Sequence, residues 1–393
     1  MSSRHGSGDT RRGIAPWIIV TVVTIVVVAA AVVGYVLITR GGDDDAAAAC
    51  SSEVVLPVVA SPGSSAAIAA AAAAFDATNP VARSTCVTTA VTTLPGPDAE
   101  QALAGGWTAQ SSPAPALWVP DSEADILALE SSDSAMTAGR DTDPLATSPV
   151  VLAVKTENAE ALAAAGVSWK SLPTATGPRG SLKLPSGGQL ITALPGPVDN
   201  RATSYALQSV VAATSGAPVT EAKVTADAPA LKAVAAGGPV PEPALTQDAL
   251  TELAGGQGGF TTVPVVQSDL TSFSAGTPGL TGVSPSGATV GDAVYVVPLT
   301  ASWVTPTLDD AAALFATYLR GPEGTAAFTQ SGMQVAGGAP ASGSATPASA
   351  AASATGTAGA TPALGTTDPP SLADAGPDID RALAQAIGAK PAS

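Results

Sequence analysis

Histidine is almost absent from this chain. The one histidine, His5, stands in the N-terminal tail, so the remainder has no imidazole for a Ser-His-Asp or Cys-His mechanism, a His-based zinc site or a His general base. Aromatic residues make up 4% and charged residues 12% of the sequence, so the core must be built largely from small aliphatic side chains. Basic residues are scarce: 16 Lys and Arg face 32 Asp and Glu, for a formal net charge of −16. That balance excludes the electrostatic footprint of a nucleic-acid-binding protein and fits a soluble exported domain. No G-x-S-x-G, P-loop, H-E-x-x-H or EF-hand pattern is present, and Asp141-Thr142-Asp143 lacks the glycine and terminal glutamate of a calcium loop. Nothing in the sequence points to an enzyme, a cofactor or a metal. There are two cysteines, Cys50 and Cys86. In an exported chain an even number suggests one disulfide, with two buried thiols as the alternative.

What the sequence does have is a long uncharged run, Ile14 to Thr39, enough for a tilted transmembrane helix. Trp17 and Tyr35 stand near its ends. Arg4, Arg11 and Arg12 precede it, and Asp43, Asp44 and Asp45 follow Arg40. The positive-inside bias predicts a cytoplasmic tail (1–13), an uncleaved single-pass anchor (14–39), a linker (40–52) and an extracellular bulk. A cleaved signal peptide is the competing reading, and its apolar region would be shorter. Residues 337–368 are almost wholly Ala, Gly, Ser, Thr and Pro, and 337–393 is expected to be a mostly disordered tail with at most one weak amphipathic helix within Ser371–Ala389.

Between these ends, strand and helix signals alternate. Strands are predicted at Val54–Ala60, Cys86–Leu94, Ala116–Val119, Thr147–Val154, Leu182–Leu184, Thr261–Gln267 and Asp292–Leu299. Helices are predicted at Ala66–Phe75, Pro97–Leu103, Glu123–Leu129, Asn158–Ala165, Thr203–Thr214, Pro229–Ala236, Gln247–Ala254, Leu308–Leu319 and Gly324–Ser331. Such alternation indicates an α/β fold with a mainly parallel sheet. The turn Ser61-Pro62-Gly63-Ser64-Ser65 follows the first strand. In a parallel sheet it lies at a strand's carboxyl end, where helix-terminal N–H groups and hydroxyls can hold a ligand, and Gly63 permits close approach. A plain helix cap is the alternative. Asp121 and Ser122 follow the third strand and would face the same cleft, or merely cap. Ser148 opens the fourth strand. Arg201, Thr203 and Ser204 begin a helix that could supply the opposite wall, while Tyr295 reads as core.

In their order and spacing, VVLPVVASPGSSAAIAAAAAAF (54–75), ALWVPDSEADI (116–126), LATSPVVLAVK (145–155), WKSL (169–172), GVSPSG with AVYVVPL (282–299) and AALFATYLRGPEGTAAFTQSGMQ (312–334) resemble bacterial extracellular solute-binding proteins of the type 2 periplasmic-binding fold. They are similar in particular to the module found in membrane-anchored proteins that often also carry a von Willebrand factor A domain. The resemblance implies a two-lobed domain over 53–336. Lobe I would comprise about 53–154 and 273–336 and lobe II about 155–272, with crossings near Val154–Lys155 and Val263–Ser272. It implies capture of a small-molecule or oxyanion ligand at Ser61, Gly63, Ser64, Ser65, Asp121, Ser122, Ser148, Arg201 and Ser204, for an ABC-type permease. The alternative is a cell-envelope scaffold with the same fold and no transported solute. The metal-ion motif of an A domain is not matched: Asp269-Leu270-Thr271-Ser272-Phe273 has Phe273 where the second serine would stand.

Overall fold

The computed structural model describes residues 50–335, apart from 109, 142, 197–199, 240 and 241, and then 371–389. The apolar run 14–39 and the segment 337–368 lie outside the described residues. Among the described residues no helix is long and apolar enough to cross a membrane.

The strands are β1 (Ser52–Ala60), β2 (Val81–Ala82), β3 (Thr85–Thr93), β4 (Leu117–Val119), β5 (Ala146–Lys155), β6 (Thr262–Val266), β7 (Leu280–Val283), β8 (Thr289–Val294), β9 (Val297–Pro298), β10 (Gln334–Val335) and β11 (Ser371–Leu372). The first seven helices are α1 (Pro62–Asp76), α2 (Gly96–Ala104), α3 (Glu123–Asp133), α4 (Thr156–Ala164), α5 (Leu172–Ala175), α6 (Arg201–Ser215) and α7 (Glu221–Ala226). The remaining six are α8 (Ala228–Ala235), α9 (Thr246–Gly255), α10 (Gln267–Gly276), α11 (Pro306–Arg320), α12 (Pro322–Gln330) and α13 (Pro377–Ile387).

Two sheets organise the chain. The first has the order β2-β3-β1-β4-β9. Its three central strands are parallel, with Val58 opposite both Val91 and Leu117. Their carboxyl ends, at Ala60, Thr93 and Val119, therefore lie along one edge. One face packs Ile68, Phe75, Phe315 and Phe328 from α1, α11 and α12. The other packs Leu103, Ile126 and Leu129 from α2 and α3 against Trp118 and Tyr295, which places Tyr295 in the core as expected. The disulfide joins Cys50 to Cys86 on β3, with Cα atoms 5.3 Å apart.

The second sheet is built around β5, which pairs antiparallel with β6, β7, β8 and β10. Val150, Leu152 and Val154 of β5 face a core shared with Trp169, Leu207, Val210 and Leu231. Val151 and Ala153, on the opposite face by the two-residue period of a strand, pack with Leu250, Leu253, Phe260 and Phe273.

Core membership changes within single strands. On β5, Ala146 packs in the first unit and Val150 in the second; on β8, Val290 packs in the second and Val294 in the first. The chain thus passes between the units near 146–150 and 290–294, not near Val154–Lys155 and Val263–Ser272. The sequence hid this because both passages run inside single strands, with no turn or linker to mark them. Two further expectations change. Leu182–Leu184 forms only an isolated bridge, Lys183 to Gln189. The run Asp292–Leu299 is divided between β8 and β9.

The amphipathic helix expected within Ser371–Ala389 is present as α13, and its packing goes beyond that expectation. Residues 371–389 are folded onto the second unit. Ser371 and Leu372 pair in parallel with Thr289 and Val290, and Ile379 and Leu383 of α13 are buried in the same core as Leu207 and Leu231. The helix is amphipathic enough for its apolar stripe to find a groove, which composition alone did not reveal.

Candidate functional site

The carboxyl edge of the first sheet faces the N-terminus of α6 and the passage strand β8. Four charged side chains meet there. Arg201 opens α6, and helical side chains lean toward the N-terminus, so its guanidinium extends beyond the helix end. Nη1 donates to Asp121 Oδ2 at 2.7 Å. Nη2 stands 3.2 Å from Asp292 Oδ2 on β8 and 3.5 Å from Asp269 Oδ2 on α10. Asp121 and Asp292 are brought together by backbone pairing, because Ala293 N–H donates to Asp121 O at 3.0 Å.

Asp121 is also tied to the serine turn: Gly63 N–H donates to Asp121 Oδ2 at 3.3 Å. The carboxylate therefore occupies the place at the start of α1 where the helix dipole and a free N–H would favour an anion. A Cβ on Gly63 would lie 2.8 Å from both the Arg201 guanidinium and Asp121 Oδ2, so the close approach needs glycine.

The electrostatics follow from burial. Asp292 is fully buried, and neither of its oxygens has a hydrogen-bond partner of good geometry. Burial pushes its pKa well above the usual carboxylate range, Arg201 opposes that shift, and Asp121 and Asp269 reinforce it. Burial works against the charge on Arg201, but Asp292, Asp121 and Asp269 outweigh it and hold the guanidinium protonated. Nearby, burial and then the charges of Asp121, Asp374 and Glu100 raise Asp125 to about 7. The cluster is one cation among three carboxylates, with more acid at its rim.

Of the residues predicted from sequence, Gly63, Asp121 and Arg201 are brought together. Ser61 lies beside them, its hydroxyl buried and without a hydrogen-bond partner. The others use their hydroxyls locally. Ser64 Oγ donates to Ser61 O at 3.2 Å and Ser65 Oγ to Pro62 O at 3.1 Å. Ser122 accepts from Ala124 N–H at 3.2 Å as the cap of α3. Ser148 is buried where the chain passes between units; it accepts from Ser268 N–H at 2.9 Å, satisfying the start of α10. Thr203 Oγ1 donates to Pro195 O at 2.7 Å. Ser204 is on the flank of α6 and donates to Asp380 of α13, so its hydroxyl is engaged by the C-terminal segment.

Sequence reasoning missed Asp269 and Asp292. For Asp292 a signal existed: a lone acidic residue inside the apolar stretch 289–299 must find a countercharge if that stretch is buried. Asp269 gave none beyond its place in a failed metal motif. Among the described residues no group of His, Cys, Asp and Glu is arranged to hold a metal ion.

Residues 56–334 match the family described as "Bacterial extracellular solute-binding protein". An uncharacterized protein of Mycobacterium tuberculosis, in each of two strains, is 33% identical over 140 residues, covering 34% of this chain and 20% of the relative. The chain thus matches only about a fifth of the length of these curated relatives. Among solved structures, the sulfate-binding protein SubI from Mycobacterium tuberculosis H37Rv has a TM-score of 0.46 at 17% identity, covering 72% of this chain and 87% of that one. Iron-bound HitA from Pseudomonas aeruginosa has a TM-score of 0.49 at 14% identity, covering 85% and 97%. The matched family spans well over half of the sequence: the chain belongs to the bacterial extracellular solute-binding proteins.

Proposed function

We propose that this protein captures a small solute between its two units and presents it to an ABC-type permease, held at the cell surface by a single helix at 14–39. In this reading lobe I is the first sheet with its helices and lobe II is the second. The ligand-binding residues are Ser61, Gly63, Asp121 and Arg201, joined by Asp269 and Asp292. The observation that carries the reading is the 2.7 Å contact between Asp121 of the first unit and Arg201 of the second, beside the α1 N-terminus. In this reading the serine turn and the guanidinium stand on opposite walls of one cleft. In a two-lobed binding protein, closure over a ligand brings such groups together.

A second reading is a cell-envelope scaffold with no transported solute. Its support is that Asp121 already fills the anion position and satisfies both Gly63 and Arg201. An oxyanion would have to displace an internal carboxylate that is held at no translational cost.

The full chain in detergent, titrated calorimetrically with oxyanions, sugars, amino acids and polyamines, separates the two. Saturable heat with one solute, with an affinity that changes in Asp121→Asn, supports capture. Absence of binding across the whole panel overturns it in favour of the scaffold.

A further inference from the structure

The C-terminal segment 371–389 does more than cover an apolar stripe. Its bonds converge on α6, the helix that carries Arg201. Ser204 and Gln208 stand one and two turns after Arg201. Ser204 Oγ donates to Asp380. Gln208 Nε2 donates to Asp374 Oδ1 at 2.8 Å, and Ala375 N–H donates to Gln208 Oε1 at 3.0 Å. The amide of Gln208, fully buried, is thus used at both ends by the segment. Below these bonds, Ile379 and Leu383 are buried against the core of the second unit, while Asp378 and Arg381 pair with each other in solvent at 2.8 Å.

The turn that leads into α13 also reaches the first unit. Gly376 has φ +86, a left-handed value that glycine adopts without strain, and it is buried. A Cβ on it would come within 3.9 Å of Ala124 Cβ in the first turn of α3. Asp374 is among the charges acting on Asp125 of that same turn. The segment is therefore anchored on one unit and abuts the other at the rim beside Asp121.

We infer that residues 371–389 are an intramolecular strap: they fix the flank of the Arg201 helix, bear on the start of α3 across the cleft, and so hold the two units in the approach at which Arg201 meets Asp121. The contacts from which the strap is inferred are all within this chain, so the inference does not depend on solute capture.

The test is hydrogen–deuterium exchange on the full chain in detergent without added solute, so its outcome is independent of the capture reading. Leu383→Asp places a charge in the buried stripe of α13, and Arg381→Ala is the exposed control. The expected result for Leu383→Asp is loss of protection over 377–387 together with amides of α3 (Glu123–Asp133) exchanging about tenfold faster, with the control unchanged. The α3 readout decides, since α3 belongs to the first unit and shares no core with α13. If 377–387 loses protection while α3 is unaltered, the segment merely decorates the second unit and the strap is refuted. Absence of protection over 377–387 in the unmodified chain refutes it equally. Should Leu383→Asp unfold the chain, the triple variant Ser204→Ala, Gln208→Ala and Asp380→Asn removes the side-chain anchors of α6 on the segment, leaves the apolar packing of Ile379 and Leu383, and is judged by the same α3 amides.

Discussion

Replacing Arg201 with methionine keeps much of the aliphatic stem and removes the only cation in contact with Asp292. The carboxylate left behind is fully buried, so it must either stay charged without a partner or take up a proton. Taking up a proton sets a ceiling. From an unfolded value near 3.9, each pH unit up to 7.5 costs about 1.4 kcal/mol, so the penalty is at most about 5 kcal/mol at that pH. Breaking a buried ion pair by removing one partner costs about 3–5 kcal/mol. Arg201 is one-third exposed, so water can enter the vacated place, and the lower end applies: about 3 kcal/mol. Urea unfolding of the unmodified chain and the variant at pH 7.5 measures this directly. The sign with pH is fixed. Asp292 has a folded pKa above its unfolded value, so its favourable contribution is complete below about pH 4 and is lost as pH rises. The deficit of Arg201→Met should therefore shrink on going from pH 7.5 to 5. Adding Asp292→Asn should restore most of the loss at pH 7.5, because it removes the carboxylate that would otherwise be stranded or have to take up a proton. A deficit under about 0.5 kcal/mol, or a double variant no more stable than the single one, would refute the view that Arg201 is held by burial of Asp292.

The unmodified protein should also be more stable in mild acid than at pH 8. Asp125 and Glu242 have pKa values raised to about 7, and Asp380 to about 6, each chiefly by burial; the folded state binds their protons more tightly than the unfolded chain, so the melting temperature should rise as pH falls from 8 toward 5, and a flat or falling profile would contradict those assignments. Opening the Cys50–Cys86 bridge, which spans a sequence separation of 36, as the Cys50→Ser/Cys86→Ser variant should lower stability by about 4 kcal/mol on the chain-entropy estimate, read as a shift in urea midpoint. Gly291→Ala should destabilise by about 1–3 kcal/mol or more, because the new methyl would run into Ser148 O and, at 2.5 Å, Pro149 Cα, both backbone atoms; an unchanged midpoint would mean that the passage strands are not packed as described.

Much of the architecture was legible because it rests on local signals. The β-branched run before Ser61 and the alanine-rich run after Pro62 could only be a strand and a helix, and they became β1 and α1. Leu308–Leu319 carried its periodicity plainly and became α11. What was not legible depends on partners distant in sequence. Ser64, Ser65 and Ser122 look like ligand donors on paper, yet a short hydroxyl at a helix start most readily bonds to its own turn, and each does so. Ser204 is three residues after Arg201, but only the long arginine side chain reaches past the helix end. Ser204 stops at the flank and meets Asp380, 176 residues on. The docking of α13 was hidden for the same reason: Ile379 and Leu383 form a stripe too short to be stable alone, and the groove that receives it is assembled from three other helices.

Asp121 is the residue on which the two functional readings divide, and its geometry says what a solute must offer. It accepts from Gly63 N–H and from Arg201 with one oxygen, Oδ2. An incoming oxyanion gains only what Asp121 gives up, and it adds a further negative group to a cluster of acidic side chains around one guanidinium. Like-charge crowding at these distances is costly in a site from which water is largely excluded. A cationic or neutral hydrogen-bonding solute meets no such opposition: it can engage the carboxylates while Arg201 swings outward through its exposed third. The titration panel should therefore rank amines and polyols above sulfate and phosphate. Tight binding of a divalent oxyanion at pH 7.5, undiminished in Asp121→Glu, would show that the carboxylate leaves the α1 N-terminus at little cost and would reverse this ranking.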